Sequence, residues 1–200
     1  MLKALNGFFY HHDAVEDPVL AYVNAAEALF AGMLVVALVI AYGRARASWR
    51  RAAVAAGLSA GLALAVGKLI SDLVERARPF VARPSSVHLF AHHAADAGFP
   101  SDHATASFAI AVAILLRKRA WGTVVLVAAI VLCIGRVAIG VHYPSDVLGG
   151  AVLGTAAALL LWIDPIRARL NALADLAGRH WDGVLDWSAS RLGLAWRSSA

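Results

Sequence analysis

Charge is scarce in this 200-residue chain: 16% of its residues are Asp, Glu, Lys or Arg, against 60% hydrophobic ones. The mean hydropathy is +0.69. A soluble globule is excluded by that balance, and a membrane protein is indicated. Cysteine is nearly absent. Cys133 is alone, so no internal disulfide can form, and its place inside an apolar run reads as a small buried apolar residue. Strand-like alternation with turn spacing is missing, which excludes a transmembrane barrel. There are no internal repeats or low-complexity tracts. Residues 1–18 lack the apolar core of a signal peptide.

What is present is a set of five apolar runs, at 19–42, 52–74, 99–116, 120–139 and 147–163. Crossing the hydrocarbon core takes about 20 apolar residues, so the first, second and fourth suffice, while the third and fifth are shorter with polar residues at one end. The expected fold is an all-α membrane bundle of about five helices. Residues 1–164 would form the membrane domain and 165–200 an amphipathic cytoplasmic tail. The tail carries Ile166, Leu170, Leu173, Ala177, Trp181 and Val184 at helical spacing, with Trp187 and Trp196 beyond.

A net charge of +5 invites a nucleic-acid partner, but the positions of the charges reject it. Arg44, Arg46, Arg50 and Arg51 fill the first short loop, and Arg117, Lys118 and Arg119 fill the third. The positive-inside rule places both in the cytoplasm. The 75–103 loop and the 136–146 region then face outward together, on the outer side of a plasma (inner) membrane. Pro18 is expected to open the first span. Leu2, Leu5, Phe8 and Phe9 suit the interface, and His11-His12-Asp13 reads as a solvated turn rather than a metal site. His88, His92 and His93 lack a regular ligand spacing and read as loop residues.

Two segments keep polar chemistry beside these runs: GFPSDHATASF at 98–108 and GRVAIGVHYPSDVLGG at 135–150. Ionisable groups are expensive in such places and are usually functional. Ser101 and Asp102 are helix N-cap types, so Pro100-Ser101-Asp102-His103 should open a helix whose free amides suit an anion, with His103 in its first turn. Arg136 precedes His142 by six residues, and Asp146 follows four later. Asp146 can cap the next helix, or accept a hydrogen bond from the His142 imidazole and leave Nε2 free to attack. Lys68, Asp72, Glu75 and Arg76 share one helical face if the helix continues, either as structural ion pairs or as the lining of a headgroup pocket. Guanidinium groups, helix amides and an oriented imidazole suit phosphoryl transfer.

Arg78-Pro79, Pro100-Ser101-x-His103 and Arg136-x5-His142-x3-Asp146 resemble, in order and spacing, the three signature motifs of the type 2 phosphatidic acid phosphatase superfamily. Their detail is most similar to its bacterial undecaprenyl-diphosphatase branch. The resemblance covers about residues 60–150. It implies a hydrolase that converts undecaprenyl diphosphate to undecaprenyl phosphate, recycling the carrier lipid of peptidoglycan synthesis. It also implies that His142 is the nucleophile of a phosphohistidine intermediate oriented by Asp146, and that His103 is the acid and base. Arg78, Arg136, Ser101 and the amide of Asp102 would bind phosphate, with no metal and no cofactor. The substrate class it implies is an isoprenoid or glycerolipid phosphate drawn from the bilayer.

Three positions depart from the family's pattern. Ser71 stands where its lysine would be, with Lys68 or Arg76 the available substitutes. Asp102 replaces a glycine, and Gly135 replaces a serine. Phosphatidylglycerophosphate and phosphatidic acid are the competing substrates, and a non-hydrolytic lipid-binding or transport protein is the competing class.

Overall fold

The computed structural model describes residues 1–41 and 47–191. Tyr42, expected to end the first apolar run, Arg44 and Arg46, expected in the first loop, and Trp196, expected on the tail, lie outside the described residues. Among the described residues, eight helices follow one another: α1 (Leu2–Tyr10), α2 (Asp13–Ile40), α3 (Ala47–Val74), α4 (Pro79–Ala82), α5 (Asp102–Leu115), α6 (Arg119–Ala138), α7 (Pro144–Leu160) and α8 (Asp164–Arg191). Among the described residues, α2, α3 and α6 are each long and apolar enough to cross a membrane, and α7 joins α8 through a 78° bend. The protein is an α-helical membrane bundle.

Helix α5 has 14 residues, about 21 Å at 1.5 Å per residue. It is enclosed by α3, α6 and α7. Its inner surface and theirs are built largely from alanine: Ala56, Ala60 and Ala63 meet Ala109, Ala111 and Ala113, with Ala129, Ala157 and Ala158 closing the cluster. Lipid competes for apolar surface as well as another helix does, so close backbone approach and dispersion hold such helices together. Gly150 and Gly154 of α7 let that helix approach the α5 backbone closely. A Cβ at Gly154 would sit 2.3 Å from the Thr105 carbonyl oxygen of α5.

Two sequence expectations are corrected and one is extended. The first span opens at Asp13 rather than Pro18, which lies inside α2. Asp13 and Glu16 in the first turn complement the helix dipole, and Pro18 sacrifices a single hydrogen bond just past the unpaired first turn. The stripe from Lys68 to Arg76 does not continue on one helix, because α3 ends at Val74 and Glu75 turns into the left-handed region at φ 46°. Lys68 and Asp72 still pair at 2.5 Å. Residues 2–10, with Leu2, Leu5, Phe8 and Phe9 expected to suit the interface, form α1, which buries Leu2, Asn6 and Phe9.

Helix α8 docks by its charged face. Arg51 pairs with Asp175, and Arg50 lies 3.6 Å from Asp182. Leu173, Leu176, Trp181, Val184 and Trp187 point away from the bundle, as suits a helix lying along a lipid surface. Lys118 donates to Ser48, and Arg117 and Arg167 stack over Trp162. The basic loop residues and α8 therefore gather at one end of the bundle. The start of α5 and the ends of α3 and α6 meet at the other.

Candidate active site

Three connections converge at that second end: 75–78, 83–101 and 139–143. After α3, Arg76 and Arg78 flank Ala77, which forms an antiparallel bridge with Ala97. The Gly98 N–H donates to the Arg76 carbonyl at 2.8 Å. This pairing fixes Arg78 on one side of His142 and the Gly98 carbonyl on the other. Between α6 and α7 the chain turns at Gly140, φ +84°, where a Cβ would stand 2.5 Å from the His88 carbonyl oxygen. Only glycine fits there. The turn folds His142 back beneath Arg136.

His142 is buried and its two nitrogens have distinct partners. Nδ1 lies 3.0 Å from the Gly98 carbonyl oxygen, to which its N–H donates. Nε2 faces the guanidiniums of Arg78 at 3.1 Å and Arg136 at 3.5 Å. An N–H on Nδ1 leaves the Nε2 lone pair directed at two cationic donors. Burial pulls His142 down to about 4; the Asp146 carboxylate opposes that shift, and the Arg136 and Arg78 charges add to it. The imidazole is therefore neutral near pH 7, as a nucleophile requires.

Asp146 takes the capping alternative. One carboxylate oxygen accepts from the Tyr143 N–H at 2.7 Å, and the other from Arg76 at 2.8 Å. It lies 3.8 Å from His142 Nδ1, too long for a hydrogen bond. The direct hydrogen bond that sets the His142 tautomer comes from the Gly98 carbonyl, while Asp146 acts on the ring through its charge. Pro144 at the first helical position and this cap together start α7.

Arg78 and Arg136 are both buried. Arg78 donates from Nε to Asp96 at 2.8 Å, and Arg136 faces His93 Nε2 at 3.0 Å. Burial raises Asp96, but its bond to Arg78 and that cation's charge hold it below its ordinary value. His93 is lowered, first by burial. Ser101 caps α5, and its N–H donates to the Asp146 carbonyl at 3.1 Å. The Ser101 and Thr105 hydroxyls and Arg136 Nε are buried without a hydrogen-bond partner among the described residues. Unpaired buried donors beside two guanidiniums and a helix N-terminus suit a multivalent oxyanion.

His103 stands in the first turn of α5 with Nε2 3.1 Å from a Glu27 oxygen. Asp102 opens the same helix and is exposed. Arg76 is occupied by Asp146 and Ser145 and stacks over Tyr143. Lys68 is held by Asp72 on the exposed face of α3. The fold thus gathers His142, Arg78, Arg136, Ser101, His103 and Asp146, sets Arg76 behind Asp146, and ties Lys68 to its own helix.

Sequence reasoning missed Glu27, His93, Asp96 and the Gly98 carbonyl. Glu27 carried a usable signal as a lone acid in an apolar run. The others act through a loop whose path no periodicity encodes.

Comparison with known proteins identifies the family. The PAP2 superfamily model matches residues 52–169. Undecaprenyl-diphosphatase BcrC of Bacillus subtilis is 31% identical over 186 residues, covering 93% of this chain and 92% of its own. Putative undecaprenyl-diphosphatase YbjG of Escherichia coli is 41% identical over 109 residues, half of this chain and 54% of its own. The crystal structure of Aquifex aeolicus LpxE overlays with a TM-score of 0.61 at 19% identity, covering 80% of this chain and 90% of that one. At that identity the likeness bears on the fold. With its motifs gathered at one end of a membrane bundle, the chain belongs to the PAP2 superfamily and is a membrane lipid phosphatase.

Proposed function

We propose that this protein hydrolyses undecaprenyl diphosphate to undecaprenyl phosphate and inorganic phosphate at the outer face of the plasma membrane. The observation that carries the chemistry is the buried, neutral His142, with Nε2 aimed at Arg78 and Arg136 and Nδ1 held by Gly98. The substrate rests on the similarity to undecaprenyl-diphosphatase BcrC along nearly the whole of both chains.

In the first step the guanidiniums and the start of α5 hold the terminal phosphate. The Nε2 lone pair attacks phosphorus, a P–N bond forms, and the P–O bond to the lipid phosphate breaks. His103 gives a proton to that leaving oxygen. In the second step His103 takes a proton from water, which attacks phosphorus, breaks the P–N bond and frees phosphate. Arg78, Arg136 and the helix amides stabilise the equatorial oxygens throughout. The outer-face assignment rests on the basic loop residues lying at the end of the bundle opposite the site.

Purified protein should release phosphate from undecaprenyl diphosphate with or without chelator, and His142→Ala should lose that release while keeping its fold. A rapid quench with labelled substrate should trap an acid-labile, alkali-stable phosphoprotein that His142→Ala lacks. Faster turnover of phosphatidylglycerophosphate or phosphatidic acid would reassign the substrate. Lipid binding without turnover would overturn the reading.

A further inference from the structure

Glu27 is the one acidic residue between Pro18 and Val39, in a helix that crosses the membrane. A carboxylate in such a place is costly and ordinarily has a partner with a task. Its side chain is 79% accessible on the protein's surface, so the protein gives it little shelter. The pairing it makes is with His103, Nε2 to Oε1 at 3.1 Å. Helix α2 does not need this contact to dock. Val23 and Ala26 pack against Leu132, Ile139 and Val141, and the Tyr22 hydroxyl donates to the Ala128 carbonyl at 2.8 Å.

We propose that Glu27 is the positioning residue for His103, its carboxylate set 3.1 Å from Nε2 so that the proton stays on that nitrogen and Nδ1 is the one that exchanges protons with the substrate. The inference rests on the phosphatase reading above. With Nε2–H held, the imidazolium gives its Nδ1 proton to the leaving oxygen and becomes a neutral ring that keeps Nε2–H. That ring then removes a proton from water at Nδ1. The carboxylate also offsets the positive charge that Arg136 and Arg78 place near His103. Without it, cationic neighbours would strip the acid of its proton at the pH where the arginines work.

The test uses the full chain in detergent, with farnesyl diphosphate and with p-nitrophenyl phosphate, whose leaving group departs unprotonated. One opposite charge beside an imidazole is worth about one pH unit or more. Glu27→Gln should therefore lower kcat on farnesyl diphosphate about tenfold and move the basic limb of the pH profile down by about one unit. KM should stay within about twofold, and first-turnover release of p-nitrophenol, which precedes the water step, within about threefold. Glu27→Asp should recover most of the loss. In a His103→Ala background, Glu27→Gln should cost nothing further. Equal losses on both substrates in the first turnover, a fixed basic limb, or additive effects in the double variant would overturn the role. Wild-type protein inactive on both substrates would count against the phosphatase reading instead. The His103 imidazole titration followed by NMR then decides the pairing separately: Glu27→Gln lowers its midpoint if the role stands, and an unchanged midpoint rejects it.

Discussion

Asn6 ties the amino terminus to the active-site end of the bundle, and its removal offers a measurable test of how that end is held. It is a buried amide in α1 with three hydrogen bonds. Nδ2 donates to the His88 carbonyl at 2.9 Å and the Ala138 carbonyl at 2.8 Å, and Oδ1 accepts from the His88 N–H at 2.8 Å. Each such bond is worth about 0.5–1.5 kcal/mol net, so Asn6→Ala should destabilise by about 1.5–4.5 kcal/mol. Asn6→Asp keeps the acceptor but turns a charge toward two carbonyl oxygens, so it should cost at least as much as Ala. Unfolding by added sodium dodecyl sulfate at fixed total micelle concentration reads the difference, and proteolysis of the 83–101 loop reads its local consequence. Because Ala138 ends the helix that carries Arg136, turnover should fall in the same variants. The reasoning fails if Asn6→Ala is within about 0.5 kcal/mol of wild type, or if Asp is tolerated better than Ala.

Gly154→Ala should push α5 away from α7, because its Cβ would meet backbone atoms at 2.3 and 2.7 Å. Overpacking of this kind costs about 1–3 kcal/mol, and a displaced His103 should lower kcat more than about tenfold; wild-type kcat would refute the close packing. Arg76→Ala leaves the buried Asp146 carboxylate without its cation and should lower kcat by about ten- to a hundredfold, whereas Lys68→Ala should stay within about threefold. A steady-state comparison checks that order, and a larger defect at Lys68 would reverse the assignment. His142 stays neutral in the fold down to about 4, while an unfolded chain takes the proton near 6.5. Its contribution is therefore present above pH 6.5 and falls as the pH drops toward 4, since only the unfolded state gains the proton. The melting temperature of wild type relative to His142→Gln should decline across that window; a constant difference would contradict it.

Much of this was legible before any coordinates. Apolar runs separated by basic loops fix a helical membrane protein because a bilayer penalises charge and unpaired backbone wherever they fall in the sequence. The spacing of Arg136, His142 and Asp146 is also local: a helix end, a glycine turn and a proline start place them within one connection. Ser101 and His103 mark a helix start for the same reason. The sequence by itself therefore determined the membrane class and the phosphatase family, and it marked the residues proposed for the site.

Only tertiary structure decided who touches whom. Asp146 could cap or orient, and the choice depended on Gly98 arriving from another loop to take the His142 Nδ1–H. Arg76 and Lys68 were equal substitutes until Glu75 ended α3 and swung Arg76 onto Asp146. Glu27 meets His103 across 76 positions of chain, through packing of α2 that no short-range pattern encodes. Helical periodicity reports the face a residue occupies, whereas a hydrogen bond between distant segments depends on how helices and loops pack in three dimensions.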